Sequence, residues 1–327
     1  MYPFLSLKQI AVDPALVRLL PRRLAYYHLA LPIARDDDHI TVAVALSDNP
    51  KVIALLGAAL NAPVMLVRSP QDEIKAILDT VWQAQGDIHQ PNILAWVDSS
   101  AQQSDVRPYA ELFAAAFSAE TTIIDSNHST LETALQIVSE GYFSLLVANE
   151  SSNELPSLLN RAQSPILLVQ GEQRSIQKVL VVLRGHTPDR SVLDFIMPLV
   201  KFYHAQITLL AVAQPVSEHI TTSNISDLLS TNSSFGAHIE DCVNLLNEAH
   251  IPGQLKLRQG VTLNPEDEIA TEASQDQYDL IAIAAEAYGD FVYNVLTSIQ
   301  EHASVKRCPL LIVKPNFFLD GAANGNR

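Results

Sequence analysis

The chain has 327 residues, enough for two or three domains that each bury a hydrophobic core. Its net charge of −15 argues against a broad nucleic-acid or anionic-membrane surface, because phosphate groups attract an excess of Lys and Arg. No apolar run reaches the roughly 18–20 residues that span a bilayer, and two cysteines suggest no disulfide framework, so we expect a reduced, cytoplasmic protein without membrane insertion.

Residues 1–85 are predicted to form a first domain that mixes short helices and strands. Asp13 and Pro14 are typical of the N-cap and first position of a helix. The alternating run at 40–46 predicts a strand that pairs, through a turn at 36–38, with a strand at 31–34. The remaining elements are predicted as a helix from Pro50 to Leu60, a strand over 64–67 and a helix that ends at Trp82. The basic cluster of Arg18, Arg22 and Arg23 is expected to be a solvated helix face.

Four segments of this domain form one pattern: Tyr2–Leu7, Val12–Pro21, Leu31–Ala34 and Ile40–Ala45. In this pattern the domain resembles the N-terminal domain of type II secretion and type IV pilus assembly ATPases. Relatives that bind cyclic di-GMP use Leu/Gly/Arg-rich helical repeats that lie mostly upstream of the matched part. No G-x4-G-K-[ST] phosphate loop occurs in the chain. The resemblance therefore implies a module that docks a protein partner through residues 1–85.

Beyond a polar linker at 84–91, the chain contains a weak internal repeat. Asn92–Ser100 parallels Lys178–His186, and Ser164–Val169 parallels Cys308–Val313. Apolar strands alternate with helical segments in each half, which predicts parallel sheets with crossover helices. In the second half the predicted strands are 178–183, 206–213, 254–259, 279–284 and 309–314, with helices at 188–203, 236–249, 265–276 and 290–304.

Five segments of the second half carry a family resemblance: Lys178–Leu183, Ala205–Val212, Gly260, Tyr278–Ile283 and Cys308–Val313. In these segments the chain resembles the universal stress protein family, arranged in tandem. The resemblance implies an α/β fold with two parallel-sheet sandwich domains of the HUP type, at 92–171 and 176–315, behind the small α/β domain and before a tail at 316–327. The first half is shorter and is expected to lack the middle crossover.

The resemblance also implies a nucleotide pocket. Family members that bind ATP use an acid after the first strand for the nucleoside and a G-x2-G-x9-G-[ST] loop for the phosphates. Such loops need glycine, because phosphate must reach backbone N–H groups without meeting a Cβ atom. In the second half these positions are occupied by Arg184, Ala284, Ala287, Thr297 and Ser298. The first half keeps the acid, Asp98, but has too few residues for the loop. We therefore expect no bound cofactor, with weak ATP or AMP binding left open.

Two further interpretations of single residues stay open. Arg184 could grip an anion together with the Ser298 hydroxyl and the helix N-terminus near Asp290, although a surface or interface arginine is favoured. His238 and Cys242 are four residues apart on a helix, which is a metal-ligand spacing, but no second pair accompanies them and we expect no metal site. No G-x-S-x-G elbow or other enzyme signature is found.

The sequence therefore favours a non-enzymatic, cytoplasmic adaptor in stress response or signalling. The alternative is a switch that responds to ATP, AMP or a cyclic dinucleotide. A hydrolase, the third class, would show turnover that Ser298→Ala abolishes. Homo-oligomerisation stays open. Because stand-alone family members commonly dimerise through their last strands, we predict that strands 165–169 and 309–314 lie side by side across a pseudo-two-fold axis.

Overall fold

The structure is a computed structural model and describes residues 3–8, 10–36, 38–45, 50–82, 92–97, 106–127, 129–140, 143–149, 155–162, 164–171, 175–185, 188–213, 234–259, 265–285, 290–301 and 308–314. The chain divides into two compact units, Met1–Ala162 and Gln163–Arg327. Within the described ranges, no helix is long and apolar enough to cross a membrane.

The first unit begins with a small three-stranded sheet flanked by helices. Its elements are α1 (Pro14–Val17), α2 (Arg22–His28), β1 (Ala30–Arg35), β2 (Ile40–Val44), α3 (Pro50–Leu60), β3 (Val64–Arg68) and α4 (Gln71–Trp82). β1 and β2 form the predicted antiparallel hairpin, and β3 lies parallel to β2. The Asp13 carboxylate accepts a hydrogen bond of 2.8 Å from the Ala15 N–H, which confirms the predicted N-cap.

The expectation of a solvated basic face is wrong for Arg22, which is only 7% exposed. Its guanidinium carbon lies 6.0 Å from the centre of the Tyr26 ring. The Tyr26 hydroxyl in turn donates a 2.8 Å hydrogen bond to Asp79 on α4. Arg22 is therefore buried although it is charged, beside a tyrosine that links α2 to α4.

The rest of the first unit is a parallel α/β layer. It comprises β4 (Asn92–Val97), α5 (Val106–Phe117), β5 (Glu120–Asp125), α6 (Leu131–Glu140), β6 (Leu145–Asn149) and α7 (Leu155–Arg161). β4 lies between β5 and β6 and runs parallel to both. All six residues of β4 are buried, as a central parallel strand requires.

The second unit is a larger sheet of the same kind. Its elements are β7 (Ile166–Val169), β8 (Lys178–Leu183), α8 (Pro188–Tyr203), β9 (Gln206–Ala213), α9 (Ser234–Glu248), β10 (Gly253–Gln259), α10 (Pro265–Gln275), β11 (Leu280–Ala284), α11 (Asp290–Glu301) and β12 (Leu310–Val313). The strand order is β10-β9-β8-β11-β12-β7. All neighbours are parallel except β12 and β7, which are antiparallel.

Two expectations are confirmed by this topology. The fold is α/β with mostly parallel sheets behind a small α/β domain. Strands β7 and β12 lie side by side, with Leu311 opposite Leu167. The described part of the first half also connects β5 to β6 through α6 alone, whereas β10 and two helices stand between β9 and β11. The first half therefore lacks the middle crossover, as its length predicted.

The outermost strand of the second sheet, β10, is tied to α10 by a buried carboxylate. Glu272 on α10 is 1% exposed. It accepts hydrogen bonds of 2.6 Å from the Lys256 ammonium and 2.7 Å from the Arg258 guanidinium, both on β10. The Tyr278 hydroxyl donates a further bond of 2.9 Å. Burial opposes ionisation of Glu272, but these hydrogen bonds outweigh it and lower the pKa of the carboxyl below its ordinary value.

We predict that Glu272→Gln lowers the free energy of unfolding by about 3 kcal/mol, because it leaves two cations beside a neutral amide. The matched control is Glu248→Gln on the exposed side of α9, which should change stability by less than about 0.5 kcal/mol. Denaturant unfolding at neutral pH measures both.

Glu272→Gln also tests how the stabilisation by the Glu272 carboxylate depends on pH. Because the folded-state pKa of Glu272 is lowered, its stabilisation is complete above the ordinary pKa of a glutamate and is lost as pH falls through the folded-state value. The difference between wild type and Glu272→Gln should therefore shrink in acid. A difference that is the same at neutral and acid pH would contradict this account.

Candidate functional site

The carboxyl ends of parallel strands meet at one edge of a sheet, which is where ligands bind in open α/β folds. In the second unit, β8 and β11 are neighbours, with Val181 opposite Ala282, so Arg184 follows β8 next to the end of β11. Side chains from three helices converge on this turn. We call the group the carboxyl-edge cluster: Arg184, Gly185, Asp189, Phe235, His238 and Phe291.

Asp189, in the first turn of α8, closes the turn after β8. Its carboxylate is 1% exposed and accepts hydrogen bonds from the backbone N–H groups of Arg184, at 2.8 Å, and Gly185, at 2.9 Å. His238 on α9 places its Nε2 atom 3.2 Å from the same oxygen. Because Asp189 lies in the first turn of α8, the helix dipole stabilises the negative charge of its carboxylate. The two N–H groups that follow β8 are therefore directed at a protein carboxylate and not at a phosphate.

Gly185 is needed for close approach of an aromatic ring. Its φ is +77°, in the region that glycine adopts without strain. A Cβ atom at this position would lie 2.1 Å from Cδ2 of Phe235. Phe235, at the start of α9, therefore occupies the space beside the turn after β8.

Arg184, at the position of the nucleoside-binding acid, packs on a second aromatic ring. Its guanidinium carbon is 3.8 Å from the centre of the Phe291 ring, which is a close cation–π contact. Phe291 lies in the first turn of α11 and is 7% exposed. A buried ring thus lies beneath a partly buried guanidinium where the sequence predicted a degraded nucleotide pocket.

The predicted loop positions are separated by the fold. Ala284 is the buried last residue of β11. Thr297 and Ser298 lie two turns inside α11, where backbone N–H groups bond to the preceding turn of the helix and are not offered to a ligand. The Thr297 hydroxyl donates to the Tyr293 carbonyl at 3.0 Å, and the Ser298 hydroxyl donates to Asp267 on α10, also at 3.0 Å.

The remaining positions of the predicted pocket, Asp98 and Ala287, lie outside the described residues. Ser298 contacts an acid on α10, and Arg184 contacts Phe291. An anion held by both side chains stays a prediction. Nucleotide binding by the six predicted residues stays a prediction.

His238 and Cys242 do share one face of α9, with 3.8 Å between Nε2 and Sγ. Burial, reinforced by the negative charge of Asp189, raises the pKa of the Cys242 thiol to about 12. A thiol that stays protonated is a poor nucleophile. In the described part of the chain, no group of three or more His, Cys, Asp or Glu side chains could hold a metal ion.

Sequence reasoning missed four members of the carboxyl-edge cluster: Gly185, Asp189, Phe235 and Phe291. Asp189 had a local signal, because an acid directly after Pro188 is typical of a first helical turn. Phe235 and Phe291 had none, since each reaches the cluster only through the packing of its helix.

The first unit has a cleft of about 660 Å³ between α3 and the turn that leads into α6. Ala54, Gly57 and Ala58 line one side, and Ser126, Ser129 and Thr130 line the other. Its lining residues include no charged side chain.

Residues 1–87 match the family model of the MshEN domain, which confirms the resemblance of the N-terminal domain. A search of the curated proteins found no match.

Solved structures that are similar to this chain include universal stress proteins. One from Archaeoglobus fulgidus is 11% identical, with 88% of this chain and 97% of that chain covered and a TM-score of 0.42. A universal stress protein family protein from Arabidopsis thaliana with AMP bound is 20% identical, covers 42% of this chain and 91% of its own, and has a TM-score of 0.31. A protein of unknown function from Pseudomonas aeruginosa PAO1 is 14% identical, with coverage of 69% and 93% and a TM-score of 0.48.

We predict that Gly185→Ala lowers the free energy of unfolding by about 2–4 kcal/mol, from the positive φ and from the overlap with Phe235. In a Phe235→Ala background the cost should fall to about 1–2 kcal/mol, the backbone part alone. A double-mutant cycle by denaturant unfolding measures the coupling. Equal costs in the two backgrounds would mean that Phe235 does not fill this space.

Proposed function

We propose that this protein is a non-enzymatic adaptor in stress response or signalling. Its MshEN-type domain docks a protein partner, and its tandem α/β halves serve as a scaffold that does not bind nucleotide tightly. The observation that supports this proposal most is the carboxyl-edge cluster, in which protein side chains occupy the edge where a ligand would bind.

Three contacts in the cluster weigh against tight nucleotide binding. Phe235 lies against the turn after β8, Arg184 lies on Phe291, and Asp189 takes the N–H groups of that turn. A nucleotide would have to displace the half-buried Phe235 ring and leave the buried Asp189 carboxylate without its hydrogen bonds, which is costly.

Protein docking by the N-terminal domain is supported by its surface. Six large hydrophobic side chains are exposed among the described residues, and four belong to this domain: Phe4, Leu19, Tyr27 and Met65. The domain is also electrically neutral, with eight basic and eight acidic residues within 1–85, so the remainder carries the whole net charge of −15. Exposed apolar groups on a neutral surface favour contact with another protein over contact with an anionic polymer.

The first test is nucleotide content. We expect mass spectrometry of the gently purified, then denatured protein to find no stoichiometric nucleotide. Calorimetric titration with ATP, AMP and cyclic di-GMP should give dissociation constants no tighter than about 1 mM, or about −4 kcal/mol.

Arg184→Ala decides between the adaptor and a nucleotide switch. Micromolar binding that this substitution abolishes would overturn the adaptor and establish a ligand-gated protein. Measurable nucleotide hydrolysis that Ser298→Ala abolishes would contradict the non-enzymatic assignment.

The second test is partner capture. We expect the double variant Phe4→Ser, Tyr27→Ser to lose most of a protein that the wild-type chain retains, because it removes two exposed aromatic side chains from the docking domain. The matched control is Phe202→Ser, Tyr293→Ser, which removes two exposed aromatics from the second unit.

Both double variants should unfold at the wild-type temperature, since exposed side chains contribute little to stability. If Phe202→Ser, Tyr293→Ser loses the partner protein and Phe4→Ser, Tyr27→Ser still retains it, the docking surface lies on the second unit and the proposal is wrong.

A further inference from the structure

β5 is the outermost strand of the parallel layer in the first unit. The outer edge of such a strand presents backbone N–H and C=O groups that a further strand could pair with. In this unit the N-terminal domain lies against that edge, where α3 contacts β5 and α6. Asn61, directly after α3, makes the polar contact.

The Asn61 side chain bonds to β5 as a neighbouring strand would. Its Nδ2 group donates to the carbonyl of Ile123 at 2.6 Å, and its Oδ1 atom accepts from the N–H of Asp125 at 3.3 Å. These two groups flank Ile124. In a parallel sheet, one residue pairs in this way with the residues before and after the one opposite. A single amide therefore takes the place of a strand residue.

The backbone of Asn61 explains why this side chain is suited to the position. Its φ is +49°, and its N–H bonds to the Ala58 carbonyl at 3.2 Å as the helix ends. Glycine and asparagine are the residues that favour this conformation after a helix. Glycine has no amide to offer, and aspartate has an acceptor but no donor, so only asparagine fits both the helix end and the strand edge.

At the other end of β5, positive charges of the N-terminal domain act on the Glu120 carboxyl. Burial raises the pKa of Glu120 above its ordinary value, and the positive charges of Arg22 and Arg18 offset part of the rise. The basic cluster that the sequence assigned to a solvated face thus includes residues that act on the first residue of β5. The N-terminal domain thus acts on both ends of the strand, through hydrogen bonds at Ile123 and Asp125 and through charge at Glu120.

We propose that Asn61 is a latch that holds the N-terminal domain on the outer edge of β5 and thereby closes that edge to strand addition by a second copy of the chain. The strand is suited to pairing, because residues 121–124 are Thr, Thr, Ile and Ile, all β-branched. A second copy is the natural occupant of a released edge, since the same strand can pair with itself across a two-fold axis. This inference is independent of the proposed adaptor function.

The test uses the full chain with Asn61→Gly, which keeps the backbone conformation and removes the amide. We expect the amide hydrogen of Asp125 to exchange about tenfold faster, in line with two lost hydrogen bonds. The variant should also form dimers with rising concentration in sedimentation equilibrium, whereas the wild-type edge stays closed. Asn61→Asp should have a larger effect, because it sets a carboxylate against the Ile123 carbonyl.

The matched control is His250→Gly, an exposed position with φ of +57° after α9, which makes the same backbone change away from the interface. It should leave the exchange of Asp125 and the oligomeric state unchanged. If Asp125 exchanges at the wild-type rate in Asn61→Gly, Asn61 does not hold the N-terminal domain on β5. If exchange is faster but no dimers form, Asn61 does not prevent strand addition by a second copy. Faster exchange in β2 as well would show that Asn61 supports the fold of the domain and not its docking, which also overturns the proposal.

Discussion

The outer edges of parallel sheets are the constraint on which much of this structure depends. A parallel strand offers backbone N–H and C=O groups on both sides, and the last strand has a neighbour on only one. β10 carries Lys256 and Arg258, which are held to α10 by the buried Glu272 carboxylate. β5 is covered by the Asn61 amide. On β10 these bonds join side chains of the edge strand to a helix, whereas on β5 the Asn61 side chain bonds to two backbone groups of the edge itself.

At the carboxyl edge of the second sheet, backbone N–H groups also need hydrogen-bond acceptors. N–H groups after a parallel strand must be satisfied, and in a nucleotide-binding protein a phosphate can do so. Here Asp189 satisfies them from within the chain, and aromatic rings of two helices occupy the adjoining space. Binding a ligand would have to replace contacts that already stabilise the fold. An adaptor needs the rigid scaffold of such a domain and not its ligand, which is consistent with the proposed function.

Features that depend on residues close in sequence were predictable. The helix start at Asp13 and Pro14 follows from side-chain capping and the fixed φ of proline. The hairpin of β1 and β2 and the alternation of apolar strands and helices follow from local patterns. The pairing of β7 with β12 joins residues far apart in the chain, and it was expected from the internal repeat together with the resemblance to universal stress proteins. The absence of glycine at 284, 287 and 297 was equally visible, because it requires only the letters at those positions.

Features that depend on long-range packing were not predictable. Arg22 is charged and was expected in solvent, but tertiary packing buries it beside Tyr26. Phe235 and Phe291 belong to helices far apart in the chain, and only the parallel sheet brings them to one turn. From the sequence, Asn61 is an ordinary residue at a helix end. Only the tertiary structure shows that its side chain bonds to β5. Local sequence therefore specifies which helices and strands form and which glycines of a phosphate loop are absent. The sheet determines which strand ends and helix ends lie together, and so which side chains occupy the space beside the turn after β8.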